Sequence, residues 1–288
     1  MNRRGTVLAA FALVFNAFVW GVSWWPFREL QSQGLHPLWS TALIYFFSLA
    51  CIWAWRPGGW RSFAQHPQLW WLAVAAGLTN VGFNWAVTVG DVVRVVLLFY
   101  LMPAWSVLLA WGLLGERPTR ASLLRLVLAM AGVLIVLKSP GSPWPVPYSA
   151  ADWLALMGGF SFAATNVLLR KLAYTPGEAR MMAMFGGGGL MATATALLGM
   201  AWHIVPAPLW STSWAGVALG LALAFLLSNM ALQYGAARLA ASTTALVMLT
   251  EILFASLSAA ALGAAEFSPR TLLGGSLIVL AALLAARK

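Results

Sequence analysis

Cysteine, histidine and charge are all scarce in this chain. One cysteine among 288 residues, Cys51, rules out an intrachain disulfide and any cysteine-cluster metal site. The three histidines, His36, His66 and His203, lie far apart, each near the end of an apolar run. They offer no metal-ligand cluster and no nucleophile–base spacing, so an enzyme is not expected, nor a cofactor. Only 8% of residues are charged against 61% hydrophobic, more apolar surface than one soluble core can hide. Long polar segments are missing too, which excludes a separate extramembrane domain. The net charge of +10 invites a nucleic-acid reading, but no stretch could build a soluble basic module, so no nucleic-acid partner is expected.

What the chain has is apolar runs. Ten can be read: Thr6–Trp25, Leu38–Trp55, Leu69–Val89, Val93–Leu114, Leu123–Leu137, Asp152–Leu172, Met181–Trp202, Trp214–Gln233, Thr243–Gly263 and Thr271–Ala286. Most hold roughly the 17–25 residues a helix needs to cross about 30 Å of hydrocarbon. The first follows Arg3 and Arg4 as a signal peptide would. It is long, has no small-residue cleavage site and leads into further spans, so it reads as a retained helix. Most tryptophans, Trp39, Trp55, Trp60 and Trp70 among them, sit near run ends as interfacial anchors.

The gaps between runs alternate in charge. Thirteen of the 17 basic residues fall on the side where the chain starts, leaving Arg28, Arg94, Lys138 and Arg270 on the other. Cytoplasmic loops collect Lys and Arg, which predicts a multi-pass protein of a bacterial inner membrane with both termini in the cytoplasm. The longest gap, 139–151, carries Pro140, Pro143, Pro145 and Pro147, a stiff extended connector on the periplasmic side. It separates two five-span units, 1–138 and 152–288. Five is odd, so the second unit enters the membrane from the opposite face.

Recurrences support a duplicated unit. Phe18, Arg28 and Leu30 return 142 positions later as Phe160, Arg170 and Leu172. Asn80 and Asn84 return 149 positions later as Asn229 and Gln233, and Glu116 returns 150 later as Glu266. Within the spans, carboxamides occur only at Asn16, Asn80, Asn84, Asn166, Asn229 and Gln233, on the first, third, sixth and eighth. These pair under a five-span duplication. Polar groups at bilayer depth must face protein or a water-filled cavity, so the four helices are expected to surround a common interior. The fold class that follows is an all-α membrane protein, ten transmembrane helices as two inverted five-helix repeats.

Trp20-Gly21, Pro103, Gly115-Glu116 and Gly132, with Glu266 and Gly274-Gly275 in the second half, resemble the drug/metabolite transporter superfamily with tandem EamA-type repeats. The resemblance covers essentially the whole chain. It departs at Glu251, where the family commonly has a proline, and at Ala264 and Ala265, inserted before Glu266. It implies a central cavity lined by spans one, three, four, six, eight and nine. One branch of that superfamily exports aromatic and other neutral amino acids.

The expected substrate-binding residues are Trp20, Ser23, Asn80, Asn84, Tyr100, Phe162, Asn166, Asn229, Gln233 and Glu251. Aromatic walls with amides and hydroxyls between them suit a ligand with an apolar end and a small polar end. No Lys or Arg lies near the middle of a span, so a phosphorylated substrate would lack a clamp. Glu251 is the only carboxylate deep in a span, able to pair with an ammonium group or carry a proton; a neutral carboxyl held by Thr250 is the structural alternative. The function expected is export of amphiphilic small-molecule substrates across the lipid bilayer by alternating access through a central cavity, aromatic or other apolar neutral amino acids first and cationic drugs or amines, held by Glu251, second. Pro103 is a candidate hinge or a static kink. Asp91 and Arg94 read as a helix-end ion pair, Glu116 and Glu266 as structural caps or loop anchors, and Gly186–Gly189 as a close-packing surface.

Overall fold

The computed structural model describes residues 3–90, 92–138, 141, 144, 146–209, 211–263 and 269–286. Asp91, Glu266 and the linker residues Pro140, Pro143 and Pro145 lie outside the described residues, and with them the expected Asp91 pairing and the Glu266 anchor. Every described element is helical: α1 (Arg3–Val22), α2 (Trp24–Ser32), α3 (Pro37–Trp55), α4 (Gly59–Ala64), α5 (Leu69–Val89), α6 (Val92–Phe99), α7 (Met102–Leu114), α8 (Arg120–Leu137), α9 (Ala150–Lys171), α10 (Gly177–Ala201), α11 (Ala215–Ala236), α12 (Ala241–Met248), α13 (Glu251–Ala261) and α14 (Pro269–Ala286). Among the described residues, nine helices are long and apolar enough to cross a membrane. The 21-residue α5, which carries Asn80 and Asn84, is not one of those nine.

Local chemistry sets several helix ends. Thr119 and Ser149 each form a capping box, accepting from the backbone N–H three residues on. Gly115 closes α7 at φ 68°, a left-handed conformation that glycine adopts without strain. His36 caps α3, its Nδ1 accepting from the Leu38 N–H at 3.2 Å while Pro37 opens the helix. Burial holds the His36 imidazole below its usual pKa, in keeping with a neutral ring accepting that hydrogen bond.

Each apolar run expected from the sequence corresponds to helix, but three are interrupted. α1 gives way to α2 at Ser23, α6 to α7 at Tyr100–Leu101, and α12 to α13 at Leu249–Thr250. α6 and α12 are both eight-residue helices.

Helix packing follows a pattern under exchange of the two halves. α5 lies against α9 and α10, as α11 lies against α1 and α3. α7 lies against α9, as α12 and α13 lie against α1. The contacts of α8 with α14 and of α3 with α10 map onto themselves. At the first of these the match is atomic: a Cβ on Gly132 would meet the Gly274 carbonyl oxygen at 2.6 Å, and a Cβ on Gly274 would meet that of Gly132 at 2.6 Å. The Gly186–Gly189 run packs closely, Gly187 against the Ala73 backbone and Gly188 against the Tyr45 ring. Large apolar side chains face outward, with Trp71 and Leu124 each 70% exposed, a surface suited to hydrocarbon rather than water.

Candidate functional site

The interrupted helices meet at a central chamber. Tyr100, in the α6–α7 break, and Glu251, the first residue of α13, stand together in its lining, near enough to interact electrostatically. Two helices come against these breaks with almost no side chain between: Gly159 of α9 sits where a Cβ would lie 2.4 Å from the Phe99 carbonyl oxygen, and Gly21 of α1 where it would lie 2.7 Å from that of Glu251. Pro103 is the second residue of α7. In the first helical turn its missing N–H costs no hydrogen bond, so it opens a new helix instead of kinking a continuous one.

Of the residues expected to bind substrate, Trp20, Asn80, Asn84, Tyr100, Phe162, Asn229 and Glu251 line this chamber together. Glu251 is the only carboxylate in the lining, which holds no lysine or arginine among the described residues. Phe83, Phe99 and Phe162 form an aromatic wall, ring centroids 4.9 and 5.9 Å apart, and Trp20 stands edge-on to Phe225 at 4.4 Å.

The polar part is organised by α5 and α11. Asn80 Oδ1 accepts from the Tyr45 hydroxyl at 3.1 Å, and its Nδ2 donates to the Ala76 carbonyl at 2.8 Å. Asn84 Nδ2 donates to Thr41 Oγ1 at 2.9 Å. An amide nitrogen carries two hydrogens, so the second N–H of Asn80 remains for a ligand.

Three expected residues stand back from the lining. Ser23 is buried and donates to the Trp20 carbonyl at 2.7 Å. The Gln233 carboxamide lies between Asn229, at 2.8 Å, and Arg180 of α10, at 3.3 Å. A guanidinium thus sits two polar contacts from the chamber. Asn166 is fully buried, and neither amide atom has a partner among the described residues. Ser106 of α7 and Thr244 of α12, on helices that pack with α9, are buried and unpartnered as well. Asn16 joins α1 to α11, donating to the Ser228 hydroxyl at 2.6 Å.

The chamber also draws on helices that the amides did not mark, through Tyr45 of α3 and Met184 of α10. Phe83 was legible: Ala76, Asn80, Phe83 and Asn84 follow i, i+4, i+7, i+8 spacing on one helical face. Arg94 pairs with Asp152 at 2.9 Å and also bonds the Val146 carbonyl. Glu116 anchors Arg170 at 3.2 Å. No group of three His, Cys, Asp or Glu among the described residues is placed to hold a metal ion.

The chamber has a volume of about 80 Å³. That is room for on the order of six waters. A ligand the size of an aromatic amino acid needs the surrounding helices to part.

Fold and chamber together define a multi-pass helical membrane protein with an amphiphilic interior. The EamA-like transporter family model matches residues 7–138, a little under half of the chain, a stretch that contains Trp20-Gly21, Pro103 and Gly115-Glu116. The chain is 27% identical over 170 residues to Protein RarD of Streptomyces exfoliatus, across 55% of this chain and 50% of that one. It is 30% identical over 188 residues to an uncharacterized transporter of Pseudomonas aeruginosa (61% and 58%) and 29% over 185 to Protein RarD of Escherichia coli (60% and 56%). It thus spans little more than half the length of these curated relatives. A solved crystal structure shares the fold over 99% of both chains, with a TM-score of 0.79 at 20% identity.

Proposed function

We propose that this protein is a membrane transporter exporting small amphiphilic metabolites by alternating access, with aromatic or other apolar neutral amino acids as leading substrates. In this reading ten membrane-spanning helices form two inverted five-helix halves, 1–138 and 152–288, joined by the 139–151 linker. Both termini lie on the cytoplasmic side of an inner membrane. The exchange pattern in the packing and the paired breaks of α6–α7 and α12–α13 support the inverted repeat. Thr6 and Ala286 line one pocket, which agrees with termini at a single end, and the basic gaps favour the cytoplasm.

The observation that carries the substrate class is the lining itself: aromatic walls, amide donors and one carboxylate. Glu251 suits an ammonium group, the aromatic wall an apolar side chain, and the amides of Asn80 and Asn229 a carboxylate. Arg180, held behind Gln233, adds positive potential on the Asn229 side. A zwitterion carries no net charge, so its export does no electrical work against the membrane potential.

A second reading, export of cationic amines, is favoured by the absence of any basic side chain in the described lining. Efflux from reconstituted vesicles loaded with labelled phenylalanine, tryptophan or an aromatic amine tests both. Glu251→Gln should abolish amine export and leave measurable amino-acid efflux. No protein-dependent efflux across a panel of neutral amino acids would end the leading assignment.

A further inference from the structure

A second polar cavity, of about 650 Å³, lies at the end of the bundle where Thr6 and Ala286 sit. Four arginines line it, Arg117, Arg125, Arg170 and Arg238, against a single acid, Glu116. Two of the four are engaged. Arg170 donates to Glu116 at 3.2 Å and to the Ala237 carbonyl at 3.3 Å. Arg238 donates to the Tyr234 carbonyl at 3.0 Å and stacks on the Tyr234 ring at 3.8 Å. Arg117 and Arg125 have no partner among the described residues.

The start of α12 forms another wall. Its cap residue is Ala240, which has no side-chain acceptor, and its first helical bond runs from the Thr244 N–H to the Ala240 carbonyl. The N–H groups of the first turn, at the pocket-lining residues Ser242 and Thr243, therefore have no helical partner. A positive inside face explains why arginines gather on this side. It does not explain why they converge with an uncapped helix start on one cavity.

We propose that this pocket binds an oxyanion of phosphate type, supplied by free phosphate or by an anionic lipid headgroup. Guanidinium groups with uncommitted N–H forks match tetrahedral oxyanions, and a helix N-terminus adds donors and a favourable dipole. The site is remote from the chamber in character: it is basic, whereas the chamber lining is free of basic side chains among the described residues. It does not depend on what the chamber carries.

The test uses the full chain purified in detergent, as wild type and as the double variant Arg117→Gln, Arg125→Gln. One arm follows thermal unfolding in inorganic phosphate against chloride at matched ionic strength. The other follows retention of phosphatidylglycerol against phosphatidylcholine by native mass spectrometry. The proposal expects at least one anion to bind the wild type selectively, with apparent affinity about tenfold weaker in the variant as charge-assisted hydrogen bonds are lost. A response to phosphate alone identifies a free anion; a response to phosphatidylglycerol alone identifies a headgroup. Neither arginine has a partner among the described residues, so the variant should melt in chloride no lower than the wild type. If it does not fold, Arg125→Lys reads the same contrast, keeping the charge while losing the fork. Equal behaviour of wild type and variant in both arms overturns the proposal.

Discussion

Tyr100 and Glu251 lie together in the lining of the central chamber and interact electrostatically, so the junction in one helix is tied to the junction in another. The two residues come from opposite halves of the sequence. Each lies at a junction where i→i−3 hydrogen bonds interrupt the i→i−4 ladder, so the contact links two comparable irregularities.

Thermal unfolding of Tyr100→Phe, Glu251→Gln and the double variant forms a mutant cycle for this contact. Neighbours in direct contact are non-additive by about 0.5–3 kcal/mol. The expected coupling is about 1–2 kcal/mol. Additive effects would mean that the two groups do not depend on each other.

Arg180→Gln separates the two substrate readings. It removes the positive charge behind Gln233 and Asn229 while leaving the chamber lining intact. Efflux of a neutral amino acid should lose affinity about tenfold, equivalent to roughly 1.4 kcal/mol. Efflux of a cationic amine should be unchanged or improved. Equal losses for both ligands would point to a purely structural role.

Gly159→Ala tests the close approach of α9 to the α6–α7 break. Its Cβ would lie 2.4 Å from the Phe99 carbonyl oxygen, closer than any relaxed contact. Overpacking of this kind costs about 1–3 kcal/mol. A lower melting temperature is expected, and an unchanged one would show that the two helices separate freely there.

His36→Asn tests a pH effect outside the membrane-spanning segments. Burial holds the His36 pKa below the ordinary imidazole value of about 6.5, so the unfolded chain takes up a proton at higher pH than the folded one. Stability from this group is present above about pH 6.5 and is lost as pH falls through the lowered pKa. Asparagine also caps helices well. The variant should match the wild type near neutrality and lose less stability on acidification; parallel pH profiles would contradict this.

Helix extent was legible because hydrocarbon imposes both a length and an apolar composition, and Leu69–Val89 coincides with α5 at both ends. Chain breaks were harder to read. Tyr100, Leu101, Leu249 and Thr250 carry no local signal that ends a helix, and Pro103 suggested a kink where the structure starts a new segment. Periodicity fixed depth better than angle. Thr165 reaches the chamber while the adjacent Asn166 is rotated away from it, and Ser23 turns back to its own helix. Tyr45 has no marker in the sequence because α3 carries no carboxamide, and its link to Asn80 depends on helix packing that the sequence does not encode locally.

The central claim is that the chamber communicates with each side of the membrane in turn. Thr79 lines it, and Cys51 is the only native thiol. A Cys51→Ser, Thr79→Cys protein in oriented vesicles, labelled with a membrane-impermeant thiol reagent from one side and then the other, asks this directly. Alternating access predicts labelling from both sides, with substrate shifting the balance between them. Labelling from one side alone, at a rate no ligand alters, would contradict the account.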